Sequence, residues 1–340
     1  LALALANAAH ATATVPPSIE PTNPKSVPAN RIPVPMDKPI SQITWAATHN
    51  SFSYHQYPVR AQNRGMSQQL ADGIGGLMLD LHEYKGRAYV CHVKCNDLGY
   101  NGKIYPLSEW LNDDILPFME KNPDAILTIF LESYVEKNLL EAELVRAPKI
   151  AKMTFNPDTW SNTRSDWPTA GELIENGQRI LIFSDKASNK GDYALPGGKA
   201  HVMFDRDGTM ENDYNQFGKT AFTHNFGCDS HEWKPSSGQG KVNFSNKSWP
   251  KLFLMNHFHG LGESLDAKWD NNNTHLWRRV DACQRSSGRT PNFIAVDFYE
   301  NGDVLDYAAT LSHGGIVLWE GNNATQDIVC TIPYTGAKRS

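Results

Sequence analysis

From Ile43 onward, short apolar runs alternate with stretches whose apolar positions recur every three or four residues. The runs Ile43–Thr48, Gly76–His82, Ala125–Glu132, Arg179–Ser184, His201–Phe204, Leu252–His257 and Asn292–Phe298 read as strands. Several (AILTIFLE, RILIFS, LFLMNHF, NFIAVDF) are apolar on both faces, as expected of parallel strands covered by helices on one side and packed on the other. Between them, Leu107–Glu120 places Leu107, Trp110, Leu111, Ile115, Phe118 and Met119 on one helical face and stops near Asn122-Pro123. Asn138–Ile150, Thr274–Gln284 and Asp303–Leu311 carry the same period, and Thr169-x-x-Glu172 before Leu173 is a capping-box signature. This βαβα order predicts an α/β fold with a mostly parallel sheet. Seven strands are legible; in 205–250, rich in Asn, Gly, Ser and aromatics, the pattern fails. A single distorted β/α barrel with one unread strand is the first expectation, and an open doubly wound sheet the second.

The length of 340 residues suits one barrel with insertions. With 40% hydrophobic and 20% charged residues, a packed core is expected. Lys and Arg total 32 against 37 Asp and Glu, a formal charge of −5, which argues against a nucleic-acid partner because phosphate binding needs clustered positive charge. No apolar run reaches the roughly 18 residues of a membrane span. No Gly-x-Gly-x-x-Gly or Gly-x4-Gly-Lys-Ser/Thr turn suggests a nucleotide site.

The opening Leu/Ala run, with small-x-small sites such as Ala6-Asn7-Ala8, reads as a signal-peptide remnant over 1–13, which implies a secreted protein. A proline-rich extended lead-in is expected over 14–41, the barrel domain over 42–320 and a tail over 321–340. Of five cysteines, Cys91 and Cys95 are placed to close a small loop; Cys228, Cys283 and Cys330 leave one unpaired. The Cys91-x-x-x-Cys95 spacing also evokes zinc, but no second Cys/His pair follows it. Asn243, Asn246, Asn272 and Asn323 begin N-x-S/T tripeptides.

Polar residues gather where the apolar strands end: His49-Asn50, Asp80-Leu81-His82, Glu132, His257 and Asp297. In a β/α barrel the carboxyl ends of the strands form one rim, which is the active face. Alternation puts Met78, Asp80 and His82 on one face, and likewise Thr128, Phe130 and Glu132. Each polar residue alone is accounted for as a strand cap; five at corresponding ends point to a site, because an inward carboxylate is costly without a cation or hydrogen bonds. A turn at Tyr84-Lys85-Gly86 and a short strand Arg87–Cys91 return His92 toward the same mouth. His49 and His92 are therefore candidates for general base and general acid.

Together, Thr48-His49-Asn50-Ser51, Gly73-Ile74-x-Gly76-Leu77-Met78-Leu79-Asp80, Tyr89-Val90-Cys91-His92 and Ile129-Phe130-Leu131-Glu132-Ser133 resemble the X domain of phosphatidylinositol-specific phospholipase C. Leu252–Phe258 and Pro291–Tyr299 are similar to its secreted, X-domain-only branch. The resemblance implies a distorted barrel that cleaves a phosphatidylinositol-type phosphodiester through a cyclic inositol phosphate, with His49 as base and His92 as acid. It implies Asn50, Asp80 and Glu132 around Ca²⁺, with Mg²⁺ second on ligand number and flexibility. Met78 departs from the calcium-dependent pattern, which has an acid there; calcium-independent relatives have an Arg on this strand, and none is present here.

Asp297 is expected to orient His49 as a carboxylate fixes an imidazole in a triad, or to cap its strand. Lys186 is a phosphate contact or a solvated lysine, and His257 and Tyr299 line the headgroup pocket or pack. The expected partner is a phospholipid or another phosphodiester, met by a monomer. Peripheral membrane contact through the aromatic-rich 224–249, with Trp233, Phe244 and Trp249, competes with an ordinary disulfide-pinned loop. Alternatives are a glycerophosphodiesterase or sphingomyelinase D-like enzyme, whose Glu-x-Asp pair Met78-Leu79-Asp80 breaks, and a catalytically decayed lipid- or glycan-binding barrel. A glycosidase built on Asp80 and Glu132 is disfavoured by the interposed histidines.

Overall fold

The computed structural model describes residues 34–314 apart from 55–59, 93–94, 96–103, 215–224, 231–240, 245–246 and 260–263, and beyond them 317–319 and 328–330. The expected signal remnant, most of the proline-rich lead-in, Trp233, Asn246, Asn323 and most of the tail lie outside the described residues.

In chain order the strands are β1 (Trp45–Thr48), β2 (Gly76–Tyr84), β3 (Arg87–Val90), β4 (Tyr105–Pro106), β5 (Leu127–Ser133), β6 (Ile180–Ser184), β7 (Gly191–Leu195), β8 (Gly198–Phe204), β9 (Thr209–Glu211), β10 (Lys241–Phe244), β11 (Lys247–Pro250), β12 (Leu252–Asn256) and β13 (Phe293–Val296), followed by β14 (Val317–Trp319) and β15 (Ile328–Cys330). The large sheet runs β7-β8-β6-β5-β2-β1-β13-β12-β9. Within it β8, β6, β5, β2, β1, β13, β12 and β9 pair in parallel, eight strands in all. Each parallel strand except β8 pairs with the next parallel strand in the chain, and the last, β13, pairs back onto the first, β1. That return is what a singly wound ring requires and a doubly wound sheet lacks. The chain is therefore an α/β protein with a single distorted β/α barrel; the ring is left unclosed by hydrogen bonds between β8 and β9.

The eighth strand, β9, lies inside the stretch where the sequence pattern failed. It is three residues long with one apolar member, Met210, too short to show a period. β7, which pairs antiparallel with β8 and buries Tyr193 and Leu195, also escaped the reading, whereas β8 extends the expected strand His201–Phe204 back to Gly198.

Alternation on these strands sorts the core into two layers. Trp45, Ala47, Phe130, Leu181, Phe183, Met203, Leu252, Leu254, Phe293 and Ala295 pack inside the ring. Leu77, Leu79, Leu81, Ile129, Leu131, Ile180, Ile182, Phe253, Met255, Ile294 and Val296 face the surrounding helices. Residues 36–40 cross the far end, where Ala170 N and Gly171 N donate to Lys38 O and Met36 O, and Ile40 and Ile43 join the inner layer. A Cβ at Gly75 would come within 2.4 Å of the Trp45 ring, so the approach to β2 requires glycine there.

The helix over 107–121 contains a π segment, Leu111–Ile115, just before Pro117. Proline offers no N–H to the preceding turn, and the wider turn absorbs that loss. The expected helix 138–150 ends early, at Val145, and Pro148 opens a 3₁₀ turn. The capping box forms as read: Glu172 N donates to Thr169 Oγ1 and Thr169 N to Glu172 Oε2. Thr169→Ala should therefore cost about 1 kcal/mol, measurable as a lower urea midpoint with an unchanged slope. Asn272 is the N-cap of the helix Asn273–Ser287, with Oδ1 accepting from His275 N, so its amide is engaged in the fold.

Two disulfides are present, Cys91–Cys95 and Cys228–Cys283; Cys330 belongs to neither. Such bonds persist in oxidising compartments. No helix among the described residues is long and apolar enough to cross a membrane.

Candidate active site

A cavity of ≈ 450 Å³ opens at the carboxyl ends of the parallel strands. His49, Asn50, Asp80, His92, Glu132 and Asp297 all line it. Strand parity explains the convergence. Trp45 and Ala47 face inward on β1, so His49 does too; Met78 and Asp80 follow on β2, Phe130 and Glu132 on β5, Ala295 and Asp297 on β13. Asp80 and Glu132 are register partners on neighbouring strands, as are Met78 and Phe130.

The turn after β1 is held by side chains that the sequence reading did not single out. Gln62 Nε2 donates to the carbonyls of His49 and Val296. Gln69 Nε2 donates to Ser51 O, and its Oε1 accepts from Thr48 Oγ1. The Ser51 hydroxyl accepts from Met78 N at 3.0 Å, which fixes the turn to β2. Within this frame Asn50 takes φ +45°, a left-handed conformation that Asn tolerates better than most residues. His92 lies two residues past the end of β3, beside the Cys91–Cys95 bridge, and Cys91 N donates to Asp80 O.

His49 is held on two sides. Its Nδ1 lies 2.8 Å from Asp297 Oδ1, and its ring stacks on Phe258 with centroids 3.7 Å apart and planes within 2°. Nε2 is then the nitrogen left for the cavity. Burial alone would lower the His49 pKa, but Asp297 and, more weakly, Asp80 and Glu132 outweigh it and raise it above 6.5. His92, though open to solvent, shifts the other way, lowered by partial desolvation against the cavity wall and by the charge of His49. Asp80 is 6% exposed and has no side-chain hydrogen bond among the described residues. Burial, and then repulsion from Glu132, push its carboxyl up to about 7. Tyr134 OH donates to Glu132 Oε1, and its ring stacks on His82.

Asn50, Asp80 and Glu132 offer one amide and two carboxylates to a cation. Among the described residues no three His, Cys, Asp or Glu side chains form a metal-ligating group. Met78, the next inward residue of β2 before Asp80, lines the cavity with a thioether, a poor ligand for a hard cation. Asp80, buried and repelled by Glu132, is a donor that positive charge would relieve, so the residues present fit a hard cation.

Three other expected residues are not brought to the mouth. His257 shares parity with Phe253 and Met255; it is buried outside the ring, with Nε2 donating to Asp270 O at 2.9 Å. Burial lowers its pKa to about 3, so it is neutral. Asn256 takes the inward place instead, Nδ2 donating to Glu211 Oε2. Lys186 follows the inward Asp185 and so turns away; its Nζ binds Val135 O and Glu136 Oε1. Tyr299 is buried, with its hydroxyl donating to Asp72 Oδ2 at 2.6 Å. The cavity is lined as well by Asp185, Asp205, Arg206 and Glu211, which sequence reasoning missed. Asp185 and Asp205 stand at the ends of β6 and β8, so the strand-end signal that marked Asp80 was available for them. Trp249, in the stretch considered for membrane contact, is fully buried against Trp167 and Phe155.

The mouth of the β/α barrel thus brings His49 and His92 together with the carboxylates of Asp80, Glu132 and Asp297. Comparison makes this specific: the family model PI-PLC X 1 matches residues 36–312, and the chain belongs to the PI-PLC X family. A PI-PLC X domain-containing protein of Arabidopsis thaliana is 25% identical over 281 residues, 78% of this chain and 60% of the relative. An uncharacterized secreted protein of Arthroderma benhamiae is 25% identical over 322 residues, 86% of this chain and 65% of the relative. The chain thus matches less than two thirds of the length of these two relatives. A solved phosphatidylinositol-specific phospholipase C of Staphylococcus aureus has 13% identity and a TM-score of 0.46, over 81% of this chain and 94% of that one.

Proposed function

We propose that this chain is a secreted phosphodiesterase that cleaves a phosphatidylinositol-type phosphodiester by two-histidine acid/base catalysis. The observation that carries the reading is the mouth itself: His49 fixed by Asp297, with His92, Asn50, Asp80 and Glu132 lining the same cavity. The two disulfides and the secreted relative support the compartment.

In this reading His49 Nε2 takes the proton from the inositol 2-hydroxyl. That oxygen attacks phosphorus, and the bond from phosphorus to the glycerol oxygen breaks. His92 gives its proton to the leaving diacylglycerol, and a cyclic inositol phosphate remains. With roles reversed, the same pair admits water and opens the ring. Asp297 keeps the His49 ring in the tautomer that leaves Nε2 unprotonated. A divalent cation, Ca²⁺ before Mg²⁺, would be held by Asn50, Asp80 and Glu132 and would supply charge to stabilise the phosphorane oxygens.

The test is incubation with phosphatidylinositol, glycerophosphodiesters and sphingomyelin, with and without chelator, followed by phosphorus NMR of the products. A cyclic inositol phosphate from phosphatidylinositol alone is expected. Turnover of either other substrate in preference would overturn the assignment, and lipid binding without turnover would make the chain a decayed barrel.

Met78→Glu would add the missing carboxylate beside Asp80. Calcium binding, followed by calorimetry, should tighten by roughly tenfold, because charge count at oxygen sites sets affinity. Unchanged affinity in a folded variant would remove Met78, and with it the metal role of Asp80, from the site.

A further inference from the structure

The three residues after Asn256 form a unit that the reaction scheme does not use. Phe258 lies flat on the His49 ring, at 3.7 Å and 2°. Its two neighbours are both tied to one residue: His257 Nε2 donates to Asp270 O at 2.9 Å, and His259 Nε2 lies 2.7 Å from Asp270 Oδ2. All are buried, with His257 1%, His259 3% and Asp270 2% exposed. Asp270 is itself seated on the strand that carries Asp297, since the adjacent Asn271 donates from Nδ2 to Asp297 O. The Asp297 carboxylate and the Phe258 ring, which fix the His49 imidazole by edge and by face, are thus both referred to the turn at 270–271.

We propose that Phe258 and Asp270 are positioning residues for His49: Asp270 grips the histidines on either side of Phe258, and Phe258 holds the imidazole face. The proposal rests on the reading of His49 as the base. A single hydrogen bond at Nδ1 leaves the ring free to swing about that contact; a flat aromatic partner removes the swing. The aromatic face also favours the imidazolium that forms as the base takes its proton. Both effects act in the transition state more than in the bound ground state, so their loss belongs in kcat rather than KM.

Three variants of the full chain test this: Phe258→Leu, which keeps an apolar filler without a ring face, Phe258→Tyr, which restores the face, and Asp270→Asn, which keeps the backbone carbonyl and removes the charge. Two readouts are taken, kcat and KM on phosphatidylinositol, and the His49 Hε1 resonance in ¹H–¹³C spectra of histidine-labelled protein. Stacking displaces that resonance upfield through the ring current. In Phe258→Leu, kcat should fall about tenfold with KM nearly unchanged, and the upfield displacement should vanish. Phe258→Tyr should recover both, and Asp270→Asn should move both in the same direction as Phe258→Leu by a smaller amount. A folded Phe258→Leu with parental kcat overturns the role of Phe258. A His49 resonance unmoved in Asp270→Asn overturns the clamp. If Phe258→Leu fails to fold, Phe258→Tyr and Asp270→Asn decide. If the parent cleaves no phosphatidylinositol, the proposed function fails, while the resonance still reports whether the clamp exists.

Discussion

His49→Ala and His92→Ala should each lower kcat on phosphatidylinositol by at least ~10²-fold, the usual size of one general acid or base contribution. Neither side chain carries the core: His49 is half-buried at the mouth and His92 is exposed. Circular dichroism and thermal midpoint should therefore stay near the parent. Asp297→Asn should fall in the same direction, because the amide can turn its NH₂ toward Nδ1 and so stabilise the wrong tautomer. The two alanine variants separate by substrate: one carrying a leaving group of low pKa needs no protonation, so it should rescue His92→Ala and leave His49→Ala impaired. A folded variant of either histidine with parental turnover would end the two-histidine assignment.

Chelation should abolish turnover, and added Ca²⁺ should restore it. Asp80→Asn should cost at least ~10²-fold in kcat and weaken calcium binding in the absence of substrate. The electrostatics give a second observable. His49 must be neutral to act as base, and its pKa is held above 6.5 by carboxylates that include Asp80 and Glu132. His92 must be protonated to act as acid, and its pKa is held below 6.5, so base and acid are in their working forms together in only a minority of molecules. Activity therefore rises with pH up to the lowered His92 value, levels, and falls above the raised His49 value. Neutralising Asp80 and Glu132 removes two of the charges that hold the proton on His49, so calcium should lower the His49 pKa, read from the NMR titration of its ring with and without the ion. Full activity in excess chelator, with no metal bound to the protein, would take the cation out of the mechanism.

Much of this site is legible in the sequence because it depends on parity. An apolar strand that is inward at Met78 must be inward at Asp80, and the same count carries Phe130 to Glu132. Applied to LFLMNH, that count selects Asn256, and applied to RILIFSDK it selects Asp185; His257 and Lys186 attract attention by their chemistry, yet their parity turns them away from the mouth. Tyr299 has no parity to count, because Phe298 at φ +46° breaks the strand before it. The barrel was legible from the alternation of elements, but β9 was not, since three residues with one apolar side chain show no period. Contacts such as those of Gln62 and Gln69 join residues far apart in the chain, and no local pattern announces them.

The Cys91–Cys95 bridge closes a loop of four residues, whereas Cys228–Cys283 spans 55. In the chain-entropy account the short loop contributes about 2 kcal/mol and the long one about 4. The short bridge therefore matters less to whether the barrel folds than to how steadily it presents the neighbouring His92. Protein made in a reducing cytoplasm would then be a misleading sample: a barrel that survives without its bridges, passes a solubility screen and carries its acid on a slack turn. A weak activity from such material would measure the expression host rather than the protein.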